Sequence, residues 1–224
     1  MDFAEEYRVR KEIVEVCGHI YQKGFVAAND GNVSVLLDDG RMLITPTGVS
    51  KGFIGPDDLV AVDLSGRVLS EGRKPSSELP MHLYIYEKRP DVRAIVHAHP
   101  LFSTAFSVAG IPLDKNVLAE VVLTLGAVPL VEYGTPSTDE LPRALGKHIH
   151  KADAFLLANH GVVTIGPNLL DTFWKMERVE HFAQISFVAR LLGGERLLSR
   201  EEVEKLTELR RKLGLAEPTA TRQE

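Results

Sequence analysis

With 224 residues, 44% of them hydrophobic, the chain is long enough to bury a full core as one domain. Its net charge of -5 is spread along the sequence, and no basic run of the kind that suits nucleic acid or an anionic membrane is present. The lone cysteine, Cys17, excludes a disulfide framework within one chain, and the charged opening Met1 to Arg10 does not read as a secretory signal. The longest apolar runs, such as 117–131, are broken by Glu120, Gly126 and Pro129 and are too short to span a bilayer, so a cytoplasmic protein is expected.

Residues 4–23 carry a helical apolar stripe at Tyr7, Ile13, Val14, Val16, Cys17 and Ile20, stopped by Gly24. VSVLLDDGRMLIT (33–45) reads as a hairpin turning at Asp38-Asp39-Gly40, and 58–72 reads as a second hairpin around Ser65-Gly66. Residues 75–87 turn helical and 94–98 form a buried strand. Helices are expected at 101–109, 117–125 and 138–150, with a short strand at 128–133. ADAFLLANHGVVTIG (152–166) is a strand, a tight turn at Asn159-His160-Gly161 and a second strand. A long helix over 169–192 and an amphipathic one over 200–213 follow, and the polar residues 216–224 form a flexible tail after a single domain at 1–215. Strands occur both as hairpins and as singles separated by helices, which predicts a mixed or antiparallel sheet covered by helices.

IVHAHP (95–100) places His97 and His99 one residue apart on a strand. Side chains at i and i+2 share a face, with Cα atoms roughly 6.5–7 Å apart, close enough for two imidazoles to converge on one metal. His160 ends a strand in a turn where Gly161 frees the backbone and is the natural candidate for a third ligand, the alternative being that each of the three histidines is simply hydrogen-bonded. HIH (148–150) has the same spacing at the end of a helical pattern, where i and i+2 point about 200° apart, so His148 and His150 do not share a metal. His19 and His181 lie within long helices and read as ordinary residues.

A zinc ion held by His97, His99 and His160 keeps an open position, which is the catalytic pattern. Glu78 in KPSSELPMHLYIY is the candidate base beside it. Ser76 and Ser77 are good N-caps, Pro80 suits a first turn, and Glu78 favours the positive helix end; a carboxylate that merely stabilises the helix explains Glu78 equally well at this point. His82, four residues on, shares a face with Glu78 and either orients it or packs. The helix start, AANDGNVS (27–34) and TPTGVSKG (45–52) are three loops rich in small polar residues. They read as turn chemistry or as an anion site for a small phosphorylated substrate.

In order, GNVS, TPTG, SSE, HAHP and NHG resemble the class II aldolase and adducin family over roughly residues 5–195. That family contains L-fuculose-1-phosphate aldolase, L-rhamnulose-1-phosphate aldolase, L-ribulose-5-phosphate 4-epimerase and the adducin head. The resemblance implies a three-layer α/β/α sandwich around a largely antiparallel, mixed sheet, and a homotetramer with active sites at subunit interfaces. It implies one Zn²⁺ per subunit on His97, His99 and His160, with Glu78 as catalytic acid/base. Asn32, Thr47, Gly48, Ser76 and Ser77 match the substrate-phosphate pocket, and Asn29 joins them. The implied reaction is cleavage of a ketose 1-phosphate, L-fuculose 1-phosphate-like, to dihydroxyacetone phosphate and a small aldehyde through a zinc-stabilised enediolate. A pentulose-5-phosphate 4-epimerase, a sugar-phosphate dehydratase or decarboxylase, and a scaffold like the adducin head are the alternatives.

The family pattern breaks on the aldehyde side. Fuculose-phosphate aldolase carries a tyrosine from the neighbouring subunit five positions after an IP pair, where this chain has Asn116 after Ile111-Pro112. The epimerase has an aspartate nine positions after its IP, where this chain has Glu120. No tyrosine follows Tyr133. Glu120, Lys115 and Asn116 are therefore the candidates for the aldehyde-side proton.

Overall fold

A computed structural model of the chain describes residues 3–215, so the tail expected at 216–224 lies outside the described residues. The first helix, α1 (Phe3–Gln22), buries Ile13, Val16, Cys17 and Ile20 along the stripe legible in the sequence. Strands β1 (Asn32–Leu36) and β2 (Arg41–Ile44) form the first hairpin, and β3 (Val60–Asp63) pairs antiparallel with β2. Then come α2 (Leu79–Lys88), β4 (Ala94–Ala98), α3 (Leu101–Val108), α4 (Ala119–Thr124) and β5 (Leu130–Val131). The chain continues through α5 (Glu140–Leu145), β6 (Ala154–Leu157), β7 (Gly161–Gly166), α6 (Leu169–Leu191) and α7 (Arg200–Lys212). Among the described residues no helix is long and apolar enough to cross a membrane.

The seven strands lie in the order β3-β2-β1-β4-β7-β6-β5, antiparallel throughout except for the parallel β5–β6 pair. Alternate residues on each strand feed two cores. Val33, Leu43, Val96, Leu156 and Val162 pack under α1, α3 and α6, while Met42, Ile95, Phe155 and Val163 pack under α2 and α5. The architecture is the expected three-layer α/β/α sandwich. Because β4 is central, its odd-numbered side chains, Ile95 and His97, face the α2 layer.

Three expected elements come out shorter. Only an isolated bridge, Val62 to Val68, remains of the return strand of the second hairpin. The Asp63 carboxylate gathers the Ser65 and Arg67 amides, and the Ser70 hydroxyl takes the Ala61 amide that a ladder would have used. The strand at 128–133 shrinks to β5 because Pro129 has no amide to donate and Val128 pairs with Leu113 instead. The helix expected over 138–150 ends at Leu145, and Arg89 takes the carbonyls of Ile149 and Ala152 beyond it.

Candidate metal centre

His97 occupies β4, His99 follows that strand by one residue, and His160 sits in the turn between β6 and β7. The antiparallel β4–β7 pairing, with Ala98 opposite Val162, brings the turn against the end of β4. The three rings form a near-equilateral triangle with centroids 4.9, 4.7 and 5.0 Å apart. One nitrogen from each lies within 4.8 Å of the others. His97 Nε2 and His99 Nε2 are 3.1 Å apart, against an edge of roughly 3.3 Å for a tetrahedron with 2.0–2.1 Å bonds.

The opposite ring nitrogens fix which atoms face inward. His97 Nδ1 donates to the Val162 carbonyl at 2.9 Å, and His99 Nδ1 faces the Asp30 carboxylate at 3.5 Å. Such outer partners set the tautomer of a metal-binding histidine and leave Nε2 as the ligand. Glycine is required at both flanks of this arrangement. A Cβ on Gly161 would lie 2.4 Å from His99 Cδ2 and 2.6 Å from the Ala98 carbonyl. One on Gly31, whose φ is +72°, would lie 2.8 Å from the His97 carbonyl.

Glu78 closes the fourth side, with Oε2 3.1 Å from His97 Nε2 and Oε1 3.4 Å from His160 Nε2. Lone pairs on imidazole and carboxylate therefore converge on one point, and the Oε1 atom has no hydrogen-bond partner. A cation resolves that convergence, so the donor set fits a divalent metal. The electrostatics agree. Burial and the charge of His97 push His99 and His160 down to about 4. Burial opposes the charged forms of Glu78 and His97, but their mutual attraction prevails, holding Glu78 well below the carboxylate range and His97 above the usual histidine value.

The polar loops meet at this site. Thr47 N donates to the Lys74 carbonyl and Ser76 N to the Thr45 carbonyl, joining the 45–52 loop to the segment that starts α2. Lys51, buried, ties its own loop to 27–34 through the carbonyls of Val49 and Asn29. Asn29, Thr47, Gly48 and Ser77 are exposed and Ser76 is buried. The N-cap of α2 is Glu78, not Ser76 or Ser77; the Ser76 amide donates to the Thr45 carbonyl and its hydroxyl accepts the Glu78 amide at 3.2 Å, two residues short of the cap. Asn32, opposite His97 in the β1–β4 register, points its amide at Glu78 Oε2, 2.7 Å away.

Glu120 is exposed in the first turn of α4, and its carboxylate makes no hydrogen bond or ion pair among the described residues. Asn116 is buried, with its carbonyl bonded to Leu198 N and its side-chain Oδ1 without a partner. The decoy pair at 148–150 lies apart from the cluster, His148 standing 3.6 Å from Glu132. Sequence reasoning did not reach Asp30, which backs His99, or Glu180, which accepts from Phe102 N, Ser103 N and Ser103 Oγ and anchors α3 directly after the histidine pair. Asp30 adjoins the Gly31-Asn32 motif, the one local signal available; Glu180 carries none.

Residues 11–187 match the family described as Class II Aldolase and Adducin N-terminal domain. Among curated proteins, a 3-oxo-tetronate 4-phosphate decarboxylase of Pectobacterium atrosepticum is 40% identical over 189 residues, covering 83% of this chain and 86% of the relative. An L-fuculose phosphate aldolase of Methanococcus maripaludis is 35% identical over 181 residues, covering 79% of this chain and 95% of the relative. Among solved structures, an L-fuculose 1-phosphate aldolase superposes with a TM-score of 0.84 at 33% identity, covering 91% of this chain and 96% of that one.

Proposed function

Since the chain belongs to the class II aldolase and adducin family, we propose that it is a lyase that removes CO2 from a small phosphorylated 3-keto sugar acid, such as a 3-oxo-tetronate 4-phosphate. Asn116 carries the choice. An aldol cleavage moves a proton at the oxygen that becomes the aldehyde, and the position where the fuculose-phosphate enzyme places a tyrosine is here a buried amide. CO2 leaves without any such group. The similarity to curated decarboxylases over most of the chain supports the same reading.

The carbon–carbon bond to the carboxylate breaks and its electron pair stays on the carbon beside the ketone. His97, His99 and His160 would hold a divalent cation, zinc in this reading, which when bound would supply a Lewis acid for the negative charge that develops beside the ketone. Glu78, at the open side of the cluster, delivers a solvent-derived proton to the enediolate carbon, which leaves dihydroxyacetone phosphate. The joined loops, through Asn29, Thr47, Gly48, Ser76 and Ser77, hold the phosphate and set the register of the ketone against Glu78.

Aldol cleavage of a ketose 1-phosphate is the second reading, favoured by the close superposition on an L-fuculose 1-phosphate aldolase. It passes through the same enediolate and needs an aldehyde-side acid from Glu120 or Lys115. In either case the chain works as a homotetramer; Trp174, Phe187 and Leu191 leave apolar surface on α6 for a second copy to cover. The test is to offer the zinc-loaded protein a 3-oxo-tetronate 4-phosphate and L-fuculose 1-phosphate, measuring dihydroxyacetone phosphate and CO2. Equal amounts of both products from the acid, abolished by Glu78→Gln, are expected. Dihydroxyacetone phosphate from fuculose 1-phosphate with no CO2 from the acid overturns the reading in favour of the aldolase.

A further inference from the structure

Beneath Glu78 runs a buried chain of polar side chains that the chemistry above does not use. Asn32 Nδ2 lies 2.7 Å from Glu78 Oε2, and Asn32 Oδ1 makes a short hydrogen bond with His82 Nε2. His82 Nδ1 is 2.6 Å from Ser34 Oγ, which is 2.9 Å from the Tyr86 hydroxyl. Asn32, Ser34, His82 and Tyr86 are all buried. The geometry follows from two periodicities: Asn32 and Ser34 are i and i+2 on β1, while Glu78, His82 and Tyr86 recur every four residues on the facing side of α2.

The donors and acceptors permit one arrangement. A carboxylate accepts only, so the Asn32 NH2 must face Glu78, which turns Oδ1 toward His82. His82 Nε2 must then carry the ring proton, Nδ1 must accept from the Ser34 hydroxyl, and Ser34 must accept from Tyr86. Every hydrogen bond points the same way, from Tyr86 to Glu78. Burial pushes His82 down to about 3, so the ring is neutral and donates from one nitrogen only.

We propose that His82, backed by Ser34 and Tyr86, is a positioning residue that locks the Asn32 amide and through it aims the Glu78 carboxylate at the substrate carbon. The inference rests on the proton-transfer role proposed for Glu78, but not on which fragment leaves. Asn32 keeps its second side-chain N–H for the phosphate pocket while Oδ1 and one N–H are committed inside the protein. Removing an outer partner of this kind typically costs 10–100-fold in activity.

The test has two independent arms on the zinc-loaded protein. Long-range ¹H–¹⁵N spectra of the imidazoles report the His82 tautomer without any turnover, and Nε2–H is expected. The second arm follows deuterium incorporation from D2O into the hydroxymethyl carbon of dihydroxyacetone phosphate. His82→Leu should lower the exchange kcat about 10–100-fold with KM within about twofold and zinc content unchanged. His82→Gln, whose amide can still donate to Asn32 Oδ1, should recover most of that loss. Tyr86→Phe should lower the rate less than His82→Leu.

An Nδ1–H tautomer, or exchange in His82→Leu within about twofold of wild type, overturns the proposal. Should His82→Leu fail to fold, His82→Gln and Tyr86→Phe still decide it, because equal and complete losses in both would mark a purely structural role. Absence of exchange in the wild-type protein would overturn the reading of Glu78 and with it the positioning role, whereas normal exchange with an Nδ1–H tautomer would overturn the positioning role alone.

Discussion

Gly161→Ala tests the metal centre through a single methyl group. The added Cβ would lie 2.6 Å from the Ala98 carbonyl, where an ordinary C···O contact is about 3.3 Å, so β4 and the turn must part by about 0.7 Å. It would also lie 2.4 Å from His99 Cδ2, and carbon pairs rest near 3.5–4.0 Å, which requires the ring to retreat by at least about 1.1 Å. That shift is half of a 2.0–2.1 Å zinc–nitrogen bond, so His99 leaves the ligand position. We expect a loss of about 1–3 kcal/mol of stability from overpacking and about 10–100-fold weaker zinc binding. Urea unfolding in the presence of chelator reads the first, and competition with a chromophoric zinc chelator reads the second. Gly18→Ala on α1, where no atom lies within 4 Å of the new Cβ, should leave zinc binding unchanged. Zinc affinity in Gly161→Ala within about twofold of wild type would refute the assignment of His99 as a ligand.

Three further outcomes follow from buried groups. His82 sits at about 3 when folded, below its ordinary 6.5, so its contribution is complete above the unfolded value and fades as pH falls from about 6.5 toward 3, by about 1.4 kcal/mol per pH unit. The stability gap between wild type and His82→Gln should therefore shrink by about 2 kcal/mol between pH 7 and pH 5, and a constant gap in urea titrations would contradict a neutral buried ring. Burial pushes the Cys17 thiol up to about 12, so it should resist disulfide reagents at pH 8 until the protein unfolds; rapid labelling of native protein would show the pocket to be open. Glu180→Ala strips three hydrogen bonds from the start of α3 and should cost about 2–4 kcal/mol, with the amides of Phe102 and Ser103 the first to lose protection from hydrogen exchange.

How much of this was legible in the chain depends on the distance over which each contact is made. His97 and His99 declare themselves because strand alternation is local, and the polar loops and the turn at Gly161 are local too. Glu78 was legible as an acid at a helix start, but the cap position falls on Glu78 itself rather than on a serine, and the bond that ties Ser76 to Thr45 joins two loops thirty-one residues apart. The direction of the Asn32 amide depends on the β1–β4 register and on where α2 lies over the sheet, and neither is written in any short stretch. The lost return strand at 67–72 shows the opposite failure. Its alternation was correct, but Ser70 took the amide that the ladder required.

The histidine cluster also has a consequence for the order in which the protein folds. His97 bonds to a carbonyl 65 residues away, and Glu78 meets Asn32 across 46 residues, so no contiguous segment contains the site. Closing loops of that length comes late, after hairpins and helices have formed. A cation that prefers the finished triangle therefore finds little of it at the folding barrier, and its binding energy falls on the native side. Zinc should act as a latch on the folded protein, slowing unfolding while leaving the rate of folding almost untouched.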